Sequence, residues 1–283
     1  MNWTFFLFIS IFSYSFSVLL QKVLLKKTES SPIALSILFQ FTIGILIGIF
    51  GLFFAKMAFP PLRPLLWNLV IMVVFYALAN IFIFKSLKQI DASIFTIIMG
   101  SRVLFTVLAS SLLLHEILNP KQWMGAFFIF FSIFLINFTG KKFSFGKGAF
   151  FALLAALFVG FVNTNDRYLL QSFEIYFYTA IAFLAPAILM AFCYPKELSR
   201  VKTFLERDTL KRFVLLCILY GISTITFYAA LQIGNNSSQI AVINLTSVIL
   251  TVLLAILFLK EREGLWRKVI GAVLCFIGVI LLL

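Results

Sequence analysis

Thr106–Glu116 reads TVLASSLLLHE and, 145 residues further on, Thr251–Glu261 reads TVLLAILFLKE. Each closes a long apolar run with an acid, and nearly the same offset recurs along the chain. Lys22-Val23-Leu24-Leu25 matches Arg167-Tyr168-Leu169-Leu170 at 145, Tyr76 matches Tyr220 at 144, and Gly125-Ala126 matches Gly271-Ala272 at 146. One apolar match in so apolar a chain means little, but several in the same order mark an internal duplication. The first copy is expected over residues 1–140 and the second over 141–283.

The composition names the solvent these runs meet. Of 283 residues only 12% are charged and 63% are hydrophobic, with 37 Phe. That leaves too few charges to cover a water-facing globule. A bilayer core is roughly 30 Å thick, so a spanning helix needs about 20 mostly apolar residues. Ten such runs are found: Trp3–Leu25, Ile33–Ala55, Leu65–Phe84, Asp91–Leu114, Trp123–Phe138, Gly148–Asp166, Ile175–Tyr194, Phe213–Leu231, Ser238–Leu259 and Lys268–Leu283. Apolar residues run continuously rather than alternating, which excludes a barrel. The first run has no basic residue before it and no small-residue cleavage pattern, so it is expected to stay as a span. Five spans per copy is an odd number, so the second copy enters from the opposite side. The expected class is an all-α integral membrane protein, ten transmembrane helices as two inverted five-helix repeats, an architecture suited to alternating access.

The net charge of +13 would suggest nucleic acid as partner for a soluble chain. Here anionic lipid accounts for it, and no nucleic acid is expected. Lys56, Arg63, Lys121 and Arg167 lie in the even-numbered loops, whereas eighteen basic residues lie in or beside the odd-numbered ones. This bias places the odd loops in the cytoplasm and both termini outside. The basic seventh loop, Pro195–Arg212, reads equally as a short interfacial helix, with Leu198, Val201 and Leu205 on one face, or as a solvated loop. Cys193, Cys217 and Cys275 show no CxxC or Cys/His pairing and read as small hydrophobes. No paired-acid cluster, nucleophile motif or HExxH accompanies the single His115, so no enzyme is expected. No Gly-rich phosphate loop is present, and neither cofactor nor metal is implied.

The paired LxxE endings at Glu116 and Glu261, each followed by a short loop and a Gly-Ala-containing helix, carry a resemblance. So do Lys22 and Arg167, which close the first helix of each copy. On these features and the architecture, the chain resembles the EamA-type, ten-helix branch of the drug/metabolite transporter superfamily over nearly its whole length. The resemblance implies a permease at the cytoplasmic membrane that exports or exchanges metabolites, amino acids, nucleotide derivatives or drugs. It implies a cavity lined by spans 1, 3, 4, 6, 8 and 9. It also implies both termini in the cytoplasm, against the charge bias; that bias, a property of this chain, is weighted more heavily. Homodimerisation stays open.

A charge at the bilayer centre costs roughly 2.5–3.5 kcal/mol on insertion scales, so an intramembrane ion is a functional candidate. Arg102, mid-span, is the clear one; its repeat counterpart is Ser247, so the fold does not demand a cation there. Its planar fork suits a carboxylate or phosphate of an anionic or zwitterionic substrate. Lys22 and Lys85 lie near helix ends, where snorkelling explains them. Asp166 is a candidate proton-coupling carboxylate, with an interfacial ion pair to Arg167 or Lys22 as the simpler reading. Glu116 and Glu261 read as loop anchors. Among uncharged groups Tyr14, Tyr76, Asn80, Asn163, Tyr220, Tyr228, Gln239 and Asn244 sit in the implied cavity helices, and buried amides avoid acyl chains. Asn244 falls near the depth of Arg102 and ranks second. Gly44 and Gly48 form a GxxxG read as packing, and Pro186 should kink span 7. Span 1 carries no acid, which argues against proton exchange for lipophilic cations through that helix. Drug export and a non-transport structural role are the alternatives.

Overall fold

The computed structural model describes residues 3–26, 30–55, 60–114, 119–139, 142–143, 145–233, 240 and 243–282. His115, Glu116 and Gln239 lie outside the described residues. The helices are α1 (Trp3–Leu25), α2 (Pro32–Phe54), α3 (Leu66–Gln89), α4 (Ala92–Met99), α5 (Arg102–Leu114), α6 (Pro120–Asn137), α7 (Lys147–Leu169), α8 (Ile175–Cys193), α9 (Arg207–Ile233), α10 (Thr246–Phe258) and α11 (Leu265–Leu282). Among the described residues eight segments are long and apolar enough to cross a membrane, α4 and α5 forming one of them. Helix α6 and the shorter α10 occupy the places of the fifth and ninth expected spans. Among the described residues the only strand pairing is a two-residue hairpin, Phe138–Thr139 against Lys142–Phe143, where the two halves join.

The exterior is apolar and the interior carries the polar groups. Phe192, Trp67 and Phe53 are 84%, 80% and 78% exposed, while Ser15, Gln40 and Ser93 are fully buried. That distribution suits lipid outside and protein partners inside, since a bare polar group in hydrocarbon costs several kcal/mol. The most extensive packings are α3 on α7, α1 on α9, α6 on α11 and α2 on α8. Each joins the first half to the second. The pattern survives exchange of the halves: α1 on α9 becomes α7 on α3, and α5 on α7 becomes α10 on α1.

The fourth span is not one continuous helix, as its hydropathy suggested. It breaks at Gly100–Ser101, where the N–H groups of Ser101 and Val103 donate three residues back, to Ile98 and Gly100. The Ser101 hydroxyl also donates to the Ile98 carbonyl at 2.7 Å. In the second half Thr246 donates to Ile243 at 2.7 Å, and Val248 N–H bonds Leu245, the same turn 145 residues on. A hydroxyl that competes for the backbone carbonyl bends a helix in this way. Gly100 answers to packing rather than to the break: its backbone is right-handed helical, and a Cβ there would sit 2.2 Å from Cys275 Sγ on α11.

Charged side chains fasten helix ends. Glu261 accepts from the N–H groups of Ala92 (2.8 Å) and Ser93 (3.0 Å) and from the Ser93 hydroxyl (2.6 Å), so it caps α4 from across the repeat. Lys268, 3% exposed, pairs with Asp91 at 2.6 Å and donates to the Glu261 carbonyl. Lys22 donates to the Leu87 and Ile90 carbonyls at 2.8 and 2.6 Å and closes α3. This corrects the suggested Lys22–Asp166 pair: Asp166 meets α3 at Tyr76, eleven residues and about 16 Å along the helix from Leu87.

The GxxxG of α2 works as packing, because a Cβ on Gly44 would lie 2.6 Å from Leu184 Cγ on α8. Pro186 is buried inside α8, which runs unbroken from Ile175 to Cys193. In the seventh loop residues 195–205 form short helical turns. The inward face is Val201 and Phe204, while Leu198 and Leu205 stay 45% and 49% exposed, so the expected face of Leu198, Val201 and Leu205 splits.

Candidate functional site

The breaks in spans 4 and 9 open onto an internal cavity of about 260 Å³. Helices α1, α2, α3, α4, α7, α8 and α9 contribute to its wall, with Arg102 from α5, Asn244, and Ser247 from α10. Repeat-related positions both line it: Arg102 and Ser247, Met99 and Asn244, Tyr14 and Val159. The cavity therefore lies where the two halves meet, a place where two packed units naturally leave a void between their axes.

Arg102 is half-buried on this wall, and its guanidinium makes no hydrogen bond or ion pair with any described residue. Its backbone is held firmly. Thr106 Oγ1 lies 3.0 Å from the Arg102 carbonyl and 3.1 Å from the Gly160 carbonyl, its one hydrogen shared between them. Tyr220 is within electrostatic range of the guanidinium and forms the hub of an aromatic wall. Phe39, Phe183 and Tyr14 surround its ring at centroid distances of 4.9, 5.9 and 6.2 Å.

A second polar group lies on the α3–α7–α8 side. Tyr76 and Tyr178, both on the cavity wall, donate to the two carboxylate oxygens of Asp166, each at 2.5 Å. Asn80 donates to the Tyr76 carbonyl at 2.9 Å and to Gln40 at 3.3 Å. Tyr228 is linked to the Thr179 hydroxyl, which donates to Ile175. Just beyond, Asn68 and Asn165 pair at 2.7 Å.

Of the residues singled out by sequence, Arg102, Asn244, Tyr76, Asn80, Tyr220, Tyr228 and Tyr14 come together on one cavity. Asn163 does not line it; it sits one helical turn past Val159, which does. Asp166 stands behind two lining tyrosines rather than in an ion pair with Lys22, and the Arg167 side chain is outside the described atoms. Lys85 lies over the Phe151 ring at 5.8 Å, away from the cavity. Gln21, Gln40, Tyr178 and Thr179 also line the site and were not anticipated. Gln40 carried a signal: it is the one amide in the run Ile33–Ala55.

Comparison with known proteins bears on this arrangement. Among curated proteins nothing matches. One solved structure, described only as the crystal structure of a protein, superposes with a TM-score of 0.65 at 19% identity, over 99% of this chain and 95% of its own; this shows a shared fold. The model of the EamA-like transporter family matches twice, over residues 1–138 and 146–283, which together make up nearly the whole chain. With its apolar helices, two-repeat architecture and central cavity, this multi-pass membrane protein belongs to the EamA-like transporter family, within the drug/metabolite transporter superfamily.

Proposed function

We propose that this transporter moves a small organic anion or zwitterion, a metabolite bearing a carboxylate or phosphate, across the cytoplasmic membrane by alternating access. The observation that carries the reading is Arg102, a cation without a protein partner among the described residues, held on the wall of an internal cavity. A charge kept at mid-membrane at such cost needs a counter-ion, and a cavity of this size admits one small molecule to supply it. The planar guanidinium offers a bidentate grip on carboxylate or phosphate. The ring wall around Tyr220 gives the apolar body of the cargo a surface to pack on. Contacts that recur when the halves are exchanged support an inverted pair of repeats rocking about the central site.

The test compares secreted and retained metabolites in cells that express wild type, Arg102→Ala or Arg102→Lys at equal membrane levels. An anionic compound should move with wild type and fall at least about tenfold with Arg102→Ala, the loss of one charge-assisted contact of about 1.5–3 kcal/mol. Arg102→Lys should keep part of the flux, because it keeps charge and loses the fork. Equal movement by all three would make Arg102 structural and end the anion reading, leaving drug export to be tried with lipophilic cations.

A further inference from the structure

We propose that Asp166, clasped between Tyr76 and Tyr178 just behind the cavity wall, is a proton-carrying site separate from the anion subsite at Arg102. The inference rests on the transporter reading above only for what the proton accompanies.

Among the described residues, the carboxylates of Glu261 and Asp166 are held by different kinds of donor. Glu261 is gripped by backbone N–H groups of Ala92 and Ser93 and lies beside Lys268. Each Glu261 oxygen faces a backbone N–H, which can only donate, and the Lys268 ammonium stands nearby. Among the described residues the Ser93 hydroxyl, at 2.6 Å, is the one partner there that can accept from a protonated carboxyl, so the surroundings favour the charged state. Asp166 receives two phenol O–H groups instead. A hydroxyl is donor and acceptor at once. When a proton arrives from water, the new carboxyl O–H can donate to one phenol oxygen. That phenol then turns its own hydrogen into the cavity it lines. Both states are satisfied, and the only atom exchanged is the proton.

The repeat shows that the acid is not architectural. Asp166 corresponds to Gln21 at the 145-residue offset, and Gln21 lines the same cavity uncharged. The groups facing Asp166 are Tyr76 from α3 and Tyr178 from α8, with Tyr228 from α9 in electrostatic range; no cation reaches it among the described residues. Arg167 follows it in the chain.

Different tyrosines stand beside this acid and Arg102. Tyr220 stands by the arginine and Tyr228 by the aspartate, eight residues or about 12 Å apart on α9. Neutralising Asp166 removes a like charge from the cavity that receives the anion, which links the two sites energetically.

The test needs no cargo. The full chain, labelled with carboxyl-13C aspartate, is placed in lipid nanodiscs and its pH-difference infrared spectrum recorded. The chain has three aspartates, Asp91, Asp166 and Asp208, so assignment is tractable. Wild type should show a label-sensitive protonated-carboxyl C=O band that Asp166→Asn lacks. Tyr76→Phe and Tyr178→Phe, each missing one partner, should shift that band without removing it. If wild type and Asp166→Asn give the same aspartate bands, Asp166 keeps one state and the proposal is overturned. Should Asp166→Asn fail to fold, aspartate bands that neither tyrosine variant moves would overturn it equally. A failed infrared result leaves the Arg102 export test standing, and a failed export test leaves the infrared result standing.

Discussion

Gly160 on α7 is where a single methyl group should reach the candidate site. A Cβ built there would lie 2.4 Å from Phe105 Cβ, 2.7 Å from the Arg102 carbonyl oxygen and 3.0 Å from the Phe105 carbonyl carbon. These are backbone atoms or the first atom beyond, so no rotamer relieves the clash. Restoring an ordinary 3.4 Å contact requires α5 to move by about 1 Å, carrying Arg102 with it. Overpacking of this kind costs about 1–3 kcal/mol. A positioned group displaced by about 1 Å loses function on the order of 100-fold in enzymes, and a tenfold or larger fall in anion flux is expected here. Gly221 on α9 is the control, because a Cβ there meets nothing within 4 Å. Gly221→Ala should be neutral or gain about 0.5–1 kcal/mol of helix stability. The assay pairs the thermal midpoint of the purified protein in detergent with metabolite export at matched membrane levels. Gly160→Ala should lower both while Gly221→Ala lowers neither. If the two alanine variants behave alike, the close approach of α7 to α5 does not hold Arg102 in place.

Glu261→Gln replaces one acceptor with an NH2 that faces the Ala92 and Ser93 donors, at a cost of about 1–3 kcal/mol. Its thermal midpoint should fall below wild type, and an unchanged midpoint would remove the cap from the account of α4. The charge bias toward the odd loops predicts that a reporter active only in the cytoplasm is silent when fused at Leu283; activity there would place the termini inside.

Much of the site was legible because lipid imposes one rule on polar side chains. Arg102, Asn80, Asn244 and the tyrosines had to face protein or cavity, and the cavity collected nearly all of them. The same rule applied to Gln40 would have found it; attention to the cavity helices implied by resemblance excluded span 2. Tyr178 and Asp166 illustrate a different limit. Each lies near the end of its run, where an aromatic or acidic residue reads as an interfacial anchor, and only the folded chain shows them bonded to each other and to Tyr76. The break in span 4 was not legible in the sequence, which reads as one apolar run from Asp91 to Leu114. Leu245-Thr246 makes the turn equivalent to Gly100-Ser101 without a glycine, and hydropathy is blind to a change of hydrogen-bond register.

The cross-half pairing of the helices has a consequence for how the protein is made. Since α1, α2, α3 and α6 pack chiefly on partners from the second half, the first five spans leave the ribosome without the surfaces they will eventually cover. Gln40, Ser10 and Arg102 must wait in the bilayer while some 140 further residues are synthesised. Split between two genes, the halves should be stable only when produced together, and a cell carrying the first alone should clear it through its membrane proteases.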